Sequence, residues 1–414
     1  MQTADSKILI NHRLIAILML GFASGLPLAL TGSTLQAWFT EANISLVTIG
    51  ALSLLGIPYT LKFLWAPLMD QYSVAWFGKR RGWILLMQAG LVVALFMLST
   101  MNPSSQASTM GLIALVVAFF SASQDVAVDA YRTDVLHANE RGLGAAYYVF
   151  AYRIALLLSG GLALICADYL GWKLTYQIMA ALMLLSMLSA YLAPEVKELS
   201  TGTHNVFETV QASVKDLFSR DKIVWLLLLI IFYKMGDALA LSLMTNFLLH
   251  GLGFTLSEVG VAYKVVSFVA TVLGAFVGGV ILMRWNIYRA LLWFGLAQAF
   301  SNLTFVLLAM VGKQFSLMAA SIFIENFCSG LSTAALMAFL MSLCNHRYTA
   351  GQYALLSAIA SLGRVFLGPV AGLMVENMGW VPFYLWSFAL CFPGIIFLVL
   401  LREKVTAYVP ATEN

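Results

Sequence analysis

Apolar stretches of about 20 residues recur along this whole chain, each long enough to cross a hydrocarbon core about 30 Å thick. Lipid is the solvent such a chain demands: 61% of its 414 residues are hydrophobic and only 10% charged, far from soluble domains. Twelve spans are read, near 14–38, 49–69, 83–101, 109–131, 143–167, 174–193, 223–248, 259–283, 290–311, 315–343, 351–376 and 381–401. Gly and Pro interrupt these runs, and the apolar/polar alternation of a barrel strand is missing, so the spans are helices. The predicted fold class is an all-α membrane protein with 12 transmembrane helices, and a β-barrel is excluded.

The first apolar stretch is too long for the core of a cleavable signal and is expected to remain as the first helix, anchoring the chain. Cys166, Cys328, Cys344 and Cys391 fall within or at the ends of apolar spans without CxxC spacing. They read as small apolar fillers, with neither a disulfide framework nor a metal site expected. The net charge of +4 does not imply nucleic-acid binding, because the basic residues sort by side of the membrane. With the N-terminus cytoplasmic, most of the 23 Lys and Arg lie in inside segments, and only Lys173 and Lys313 lie outside. That asymmetry puts both termini in the cytoplasm with an even helix count.

A polar, mixed-charge stretch, Pro194 to Lys222, divides the chain into an N-terminal bundle (1–193) and a C-terminal bundle (223–414). Residues 194–222 are expected to form a cytoplasmic linker, with Val206 to Phe218 lying along the membrane surface. The halves resemble each other. At an offset of 211, Gly25, Leu28, Ala29 and Leu30 match Gly236, Leu239, Ala240 and Leu241, and Thr34 matches Thr245. At an offset of 208, Gly160, Gly171, Trp172 and Tyr176 match Gly368, Gly379, Trp380 and Tyr384. Duplication explains these registers. Two parallel six-helix halves, with a solute site between them near mid-membrane, form the architecture of the major facilitator superfamily. The loop Ala66-Pro67-Leu68-Met69-Asp70-Gln71-Tyr72, running on to Gly78-Lys79-Arg80-Arg81, resembles that superfamily's acid-then-basic signature in degenerate form.

A charge at the bilayer centre is costly, about 2.5 to 3.5 kcal/mol on insertion scales, so ionisable residues there face a cavity or a partner. Lys62, Asp125, Arg153, Lys234, Asp237, Glu325 and Arg364 all lie well inside their spans. Lys234 and Asp237, three apart on one face, read either as a neutralising pair or as part of a solute site. Asp129 and Asp134, with Arg132 between them, sit near the cytoplasmic end of helix 4. Together with Asp70, Arg80 and Arg81 they read either as mutually neutralising structural ion pairs or as a cytoplasmic gate. Arg153 and Arg364 occupy similar depths in helices 5 and 11, where a guanidinium suits bidentate capture of a solute carboxylate, the alternative being that the three nearby acids satisfy both.

Asp125 follows Ser121, Ser123 and Gln124 as a polar patch in helix 4, and Glu325 with Asn326 makes a second in helix 10. An intramembrane carboxylate can load and release a proton, so Asp125, Asp237 and Glu325 are the candidates for proton coupling, with permanent pairing as the alternative. Tyr148 and Tyr152 are candidates for stacking on a sugar ring. Trp38, Trp65, Trp83, Trp172 and Trp380 are assigned to the interfacial aromatic belts. There is no GxxxxGK[ST] loop for ATP, and neither a zinc-ligand nor a nucleophile motif stands out.

Whole strings carry a closer resemblance. Gly21-Phe22-Ala23-Ser24-Gly25-Leu26-Pro27, Lys62-Phe63-Leu64-Trp65-Ala66-Pro67, Ser121-Ala122-Ser123-Gln124-Asp125, Tyr233-Lys234-Met235-Gly236-Asp237 and Gly363-Arg364-Val365 strongly resemble the AmpG muropeptide permeases. The resemblance covers nearly the whole chain. It implies a transporter, not an enzyme: a proton-driven importer of GlcNAc-1,6-anhydro-MurNAc and its peptides in a Gram-negative inner membrane, serving peptidoglycan recycling and β-lactamase induction. It implies no cofactor beyond the proton gradient, and the chain is expected to act as a monomer in the lipid bilayer. Solute carboxylates would meet Lys62, Arg153, Lys234 or Arg364, while amides and hydroxyls would meet Gln124, Asn326 and tyrosines including Tyr152; Asp125 and Asp237 belong to the same expected site. Longer relatives carry further C-terminal hydrophobic segments beyond the region that corresponds to helix 12.

Two rivals stand beside this reading. A facilitator for another anionic metabolite would share the fold and differ in solute. A membrane-embedded enzyme of envelope metabolism would cluster catalytic residues at one membrane face, a signature the sequence does not carry.

Overall fold

The computed structural model describes residues 11–66, 69, 72, 74, 78–136, 141–194, 214–219, 222–282, 284–343 and 349–407. Without water in the hydrocarbon, each backbone N–H and C=O is best paired within its own segment, and among the described residues the ordered elements are all helical. Twelve apolar helices follow one another among these residues: α1 (His12–Glu41), α2 (Leu46–Leu61), α3 (Lys79–Ser99), α4 (Pro103–Val135), α5 (Tyr147–Leu170), α6 (Trp172–Leu192), α7 (Ile223–Gly251), α8 (Leu256–Leu282), α9 (Ile287–Val311), α10 (Phe315–Ser342), α11 (Thr349–Met378) and α12 (Trp380–Leu400). Eleven contain a stretch long and apolar enough to cross a membrane; α2 is shorter and continues as a tight turn over Lys62–Leu64. Of the expected surface helix in the linker, the last part is seen as a helical turn at 214–218, and its earlier residues lie outside the described ones.

The helices gather into two units. The first holds α1, α3 to α6 and the part of α2 from Leu55; the second holds α7 to α12 with Ser45–Leu54. Within the first, Gly21 and Gly25 bring α1 onto α5, where a Cβ would run into the carbonyls of Tyr148 and Tyr152. Leu14, Ile17, Leu20, Ile84, Val128 and Tyr131 fill a core beside this seam. Within the second, α8 and α10 approach through Gly274 against the Phe327 carbonyl and Gly330 against Thr271, and Gly50 meets Gly368. Small residues let these backbones touch, which is how helices gain packing energy where lipid removes the hydrophobic drive. The outward faces carry apolar side chains such as Leu185 and Phe276, 65% and 71% exposed, as a lipid solvent requires.

The duplication is visible in the backbone. Helix α1 breaks at Gly32 (φ −101°, ψ −113°) and α7 breaks at Leu243 (φ −118°, ψ 20°), positions related by the offset of 211. Gly171 and Gly379, related by 208, take the same left-handed φ of 79° and 77° at the starts of α6 and α12. Only glycine adopts that φ freely. The residues that follow build matching aromatic clusters, Trp172 and Tyr176 around Trp38 in one unit, Trp380 and Tyr384 around Phe247 in the other. Trp38 thereby departs from the belt expectation: it is 7% exposed and stacked on Trp172 at 5.5 Å, because the ring is used for packing.

Candidate functional site

Each unit carries its own polar cluster. In the first, the polar face of α4 turns inward: Ser121, Ser123, Gln124 and Asp125 are all buried. Trp65 donates to Ser123 Oγ at 3.0 Å, while both amide ends of Gln124 and the Oδ1 of Asp125 are buried without a hydrogen-bond partner. So are the hydroxyls of Ser24, Tyr59 and Ser121, which places unpartnered polar groups from α1, α2 and α4 in the same unit. Lys62, half-buried at the end of α2, is the cation within electrostatic reach of Asp125. Tyr152 lies 6.0 Å from Tyr148, centroid to centroid, and Arg132 covers the Tyr148 ring at 4.7 Å. Arg153 is exposed, with neither an ion pair nor a hydrogen bond among the described residues.

Toward the end of α4 the expected gate residues pair with one another. Arg80 Nε lies 2.9 Å from Asp134 Oδ2, joining α3 to α4, and Arg132 lies 3.2 Å from Asp129 one turn away. Arg81 donates to the Tyr191 carbonyl on α6. Asp70 lies outside the described residues.

The second unit builds a denser cluster around a break in α7. Lys234 ends one helical piece and Met235 begins the next, so Asp237 falls in a first turn, where the helix dipole favours a carboxylate. Lys234 Nζ sits 3.2 Å from Asp237 Oδ2 and donates to Ser332 Oγ at 2.7 Å and Ser329 Oγ at 3.4 Å. Gln298 Nε2 donates at 3.3 Å to Asp237 Oδ1 and at 3.3 Å to Glu325 Oε1. Glu325 is fully buried and its Oε2 has no hydrogen-bond partner. Arg364 is exposed and unpaired among the described residues, within electrostatic reach of Asp237.

The patch read as Glu325 with Asn326 is divided by helix geometry, since neighbours on a helix diverge by about 100°. Glu325 meets Gln298 on α9, whereas Asn326 donates to the Ile322 carbonyl and accepts from Thr271 on α8. Gln298, Ser329, Ser332, Tyr59 and Ser24 are functional candidates that sequence reasoning does not single out. The available signal is a polar side chain within an apolar run, and Gln298 with Ser301 and Asn302 in α9 carries it plainly. Cys391 packs in α12, its thiol donating to the Ser387 carbonyl at 3.4 Å, as expected of a small filler; Cys344 lies outside the described residues.

Comparison with known proteins converges on one family. The model of the Major Facilitator Superfamily matches residues 15–351. The anhydromuropeptide permease of Escherichia coli K12 is 48% identical over 390 residues, covering 94% of this chain and 79% of that protein. Among solved structures, the nucleoside transporter NupG superposes with a TM-score of 0.73 at 14% identity, covering 94% of this chain and 99% of its own. The xylose transporter XylE from E. coli superposes with a TM-score of 0.68 at 12% identity, covering 97% and 96%. At such identities these two likenesses speak for the fold alone. The chain is a multi-pass membrane transporter of the Major Facilitator Superfamily and belongs, within it, to the AmpG family of muropeptide permeases.

Proposed function

We propose that this chain imports anhydro-muropeptides, GlcNAc-1,6-anhydro-MurNAc and its peptides, across a Gram-negative inner membrane by proton symport, with both termini cytoplasmic. The observation that carries this reading is the 48% identity, over 94% of the chain, to a protein named for that solute. The distribution of charge supports it. A peptide stem brings carboxylates, which need cations not already engaged. Lys62, Arg153 and Arg364 have neither ion pair nor hydrogen bond among the described residues, whereas Lys234 is committed to Asp237 and Ser332. The solute carboxylates are therefore assigned first to Lys62, Arg153 and Arg364, where a charge-assisted bond is strongest.

Gln124 offers an unpartnered amide to the solute's own amides, Asp125 and Tyr152 add polar contacts, and Asn326 joins them only by exchanging its bonds to Ile322 and Thr271 for the solute. Asp125, Asp237 and Glu325 are the acids that couple solute to protons. The Arg80–Asp134 and Arg132–Asp129 pairs, with Arg81 and Asp70, serve as the cytoplasmic gate. Imported products would feed peptidoglycan recycling and signal β-lactamase induction.

Competition in proteoliposomes tests the solute assignment. Unlabelled GlcNAc-anhydro-MurNAc peptides are expected to block uptake of the labelled tripeptide in proportion to their concentration, while organic anions of similar charge without the disaccharide leave it within twofold. Equal block by both classes would favour a facilitator of another anionic metabolite.

A further inference from the structure

Gln298, 2% exposed on α9, faces two acids at once. Its Nε2 donates to Asp237 Oδ1 and to Glu325 Oε1, each at 3.3 Å, and its Oε1 accepts from Ser332 Oγ at 3.5 Å. The two carboxyl acceptors orient the amide, nitrogen toward them and oxygen away, while the Ser332 proton is shared between that oxygen and the nearer Ser329 carbonyl at 3.1 Å. Lys234 serves Asp237 Oδ2, Ser332 Oγ and both the carbonyl and the hydroxyl oxygen of Ser329, four acceptor atoms for its three protons. No ammonium proton is left for Glu325, whose Oε2 is buried and has no donor among the described residues. A buried carboxylate with a bare oxygen is a costly ion, whereas its protonated form is neutral and keeps Oε1 for the amide.

We propose that Glu325 and Asp237 form one proton-binding site, with the transported proton entering on Glu325 Oε2 and Gln298 acting as the positioning residue that links the two carboxyls. This rests on the proton-coupled reading above and gives the proton a place. Loading is a single protonation: a proton from water bonds to Oε2, and the same O–H bond breaks to return it to water on the other side.

The titratable and charged groups facing this site are Lys234 and Asp237 from α7, Tyr263 from α8, Cys328 from α10, Arg364 from α11, and Tyr384 and Cys391 from α12. Among them Arg364 is exposed, so it is the cation a solute carboxylate can reach. An anion bound to Arg364 withdraws positive potential from the acid pair and favours its proton. By linkage the proton favours the anion by the same factor. Solute and proton therefore load together.

The test uses the full chain in proteoliposomes with labelled GlcNAc-anhydro-MurNAc tripeptide, reading gradient-driven uptake, its pH profile, and exchange of labelled for unlabelled solute without a gradient. Glu325→Gln is expected to lose gradient-driven uptake at least tenfold and still to exchange solute. Gln298→Met is expected to move the pH of half-maximal uptake upward by about one unit, the effect of removing one hydrogen bond from a charged group. Gradient-driven uptake preserved in Glu325→Gln overturns the proposal alone, as does an unmoved pH profile in Gln298→Met. A wild-type protein that takes up solute without responding to the gradient overturns the proton-coupled reading and the proposal with it. If Glu325→Gln does not fold, Glu325→Asp decides: a displaced pH profile supports the site, and an unmoved one overturns it.

Discussion

Lys234 and Asp237 face each other at 3.2 Å across the break in α7, with side chains only 13% and 5% exposed. Removing one partner of a buried pair strands the other charge, at a cost of about 3 to 5 kcal/mol, while replacing both with apolar residues of similar size is nearly neutral. Lys234→Met and Asp237→Leu are each expected to lower the melting temperature in detergent markedly, and the double variant to restore most of it while losing transport. Thermal unfolding followed by tryptophan fluorescence checks the first outcome and solute uptake the second.

Arg364 is exposed and unpaired among the described residues, so its removal should cost little stability and much affinity. A hydrogen bond to a charged group contributes about 1.5 to 3 kcal/mol, which corresponds to roughly a tenfold to hundredfold rise in KM. Arg364→Ala is expected to show that rise with an unchanged melting temperature, and Arg364→Lys to recover only part of it, because an ammonium lacks the bidentate fork. Uptake kinetics across a range of solute concentrations provide the measurement.

Gly274 lets α8 rest on the carbonyl of Phe327, and a side chain there meets backbone that cannot yield. Gly274→Val is expected to destabilise the second unit by about 1 to 3 kcal/mol through overpacking. Gly279 in the same helix has nothing within 4 Å of a Cβ, so Gly279→Ala should be tolerated. Comparing the two by yield and elution profile of detergent-solubilised protein distinguishes contact from helix propensity.

Features that depend on local pattern are legible in the sequence. Apolar runs mark the spans because the lipid core imposes a length on them, and the break at Leu243 falls where the repeat puts the counterpart of Gly32. A spacing of three residues suffices to suggest the Lys234–Asp237 pair. Gln298 is not legible as a bridge, because its partners lie 61 and 27 residues away and only the packing of α7, α9 and α10 brings them together. Helix depth likewise identifies Arg153 and Arg364 as lying within their spans, but not that both side chains are exposed and unpaired among the described residues. Adjacency groups Asn326 with Glu325 in the sequence, and adjacency on a helix separates faces.

Uptake of labelled GlcNAc-anhydro-MurNAc tripeptide into proteoliposomes, with and without an inward proton gradient, for wild type and Arg153→Ala, tests proton-coupled import through a cationic site most directly. Wild-type uptake is expected to be stimulated at least tenfold by the gradient and to be abolished by Arg153→Ala in a protein that remains folded. Folded wild-type protein that fails to take up the solute, or Arg153→Ala with wild-type uptake, would contradict proton-coupled import through that site.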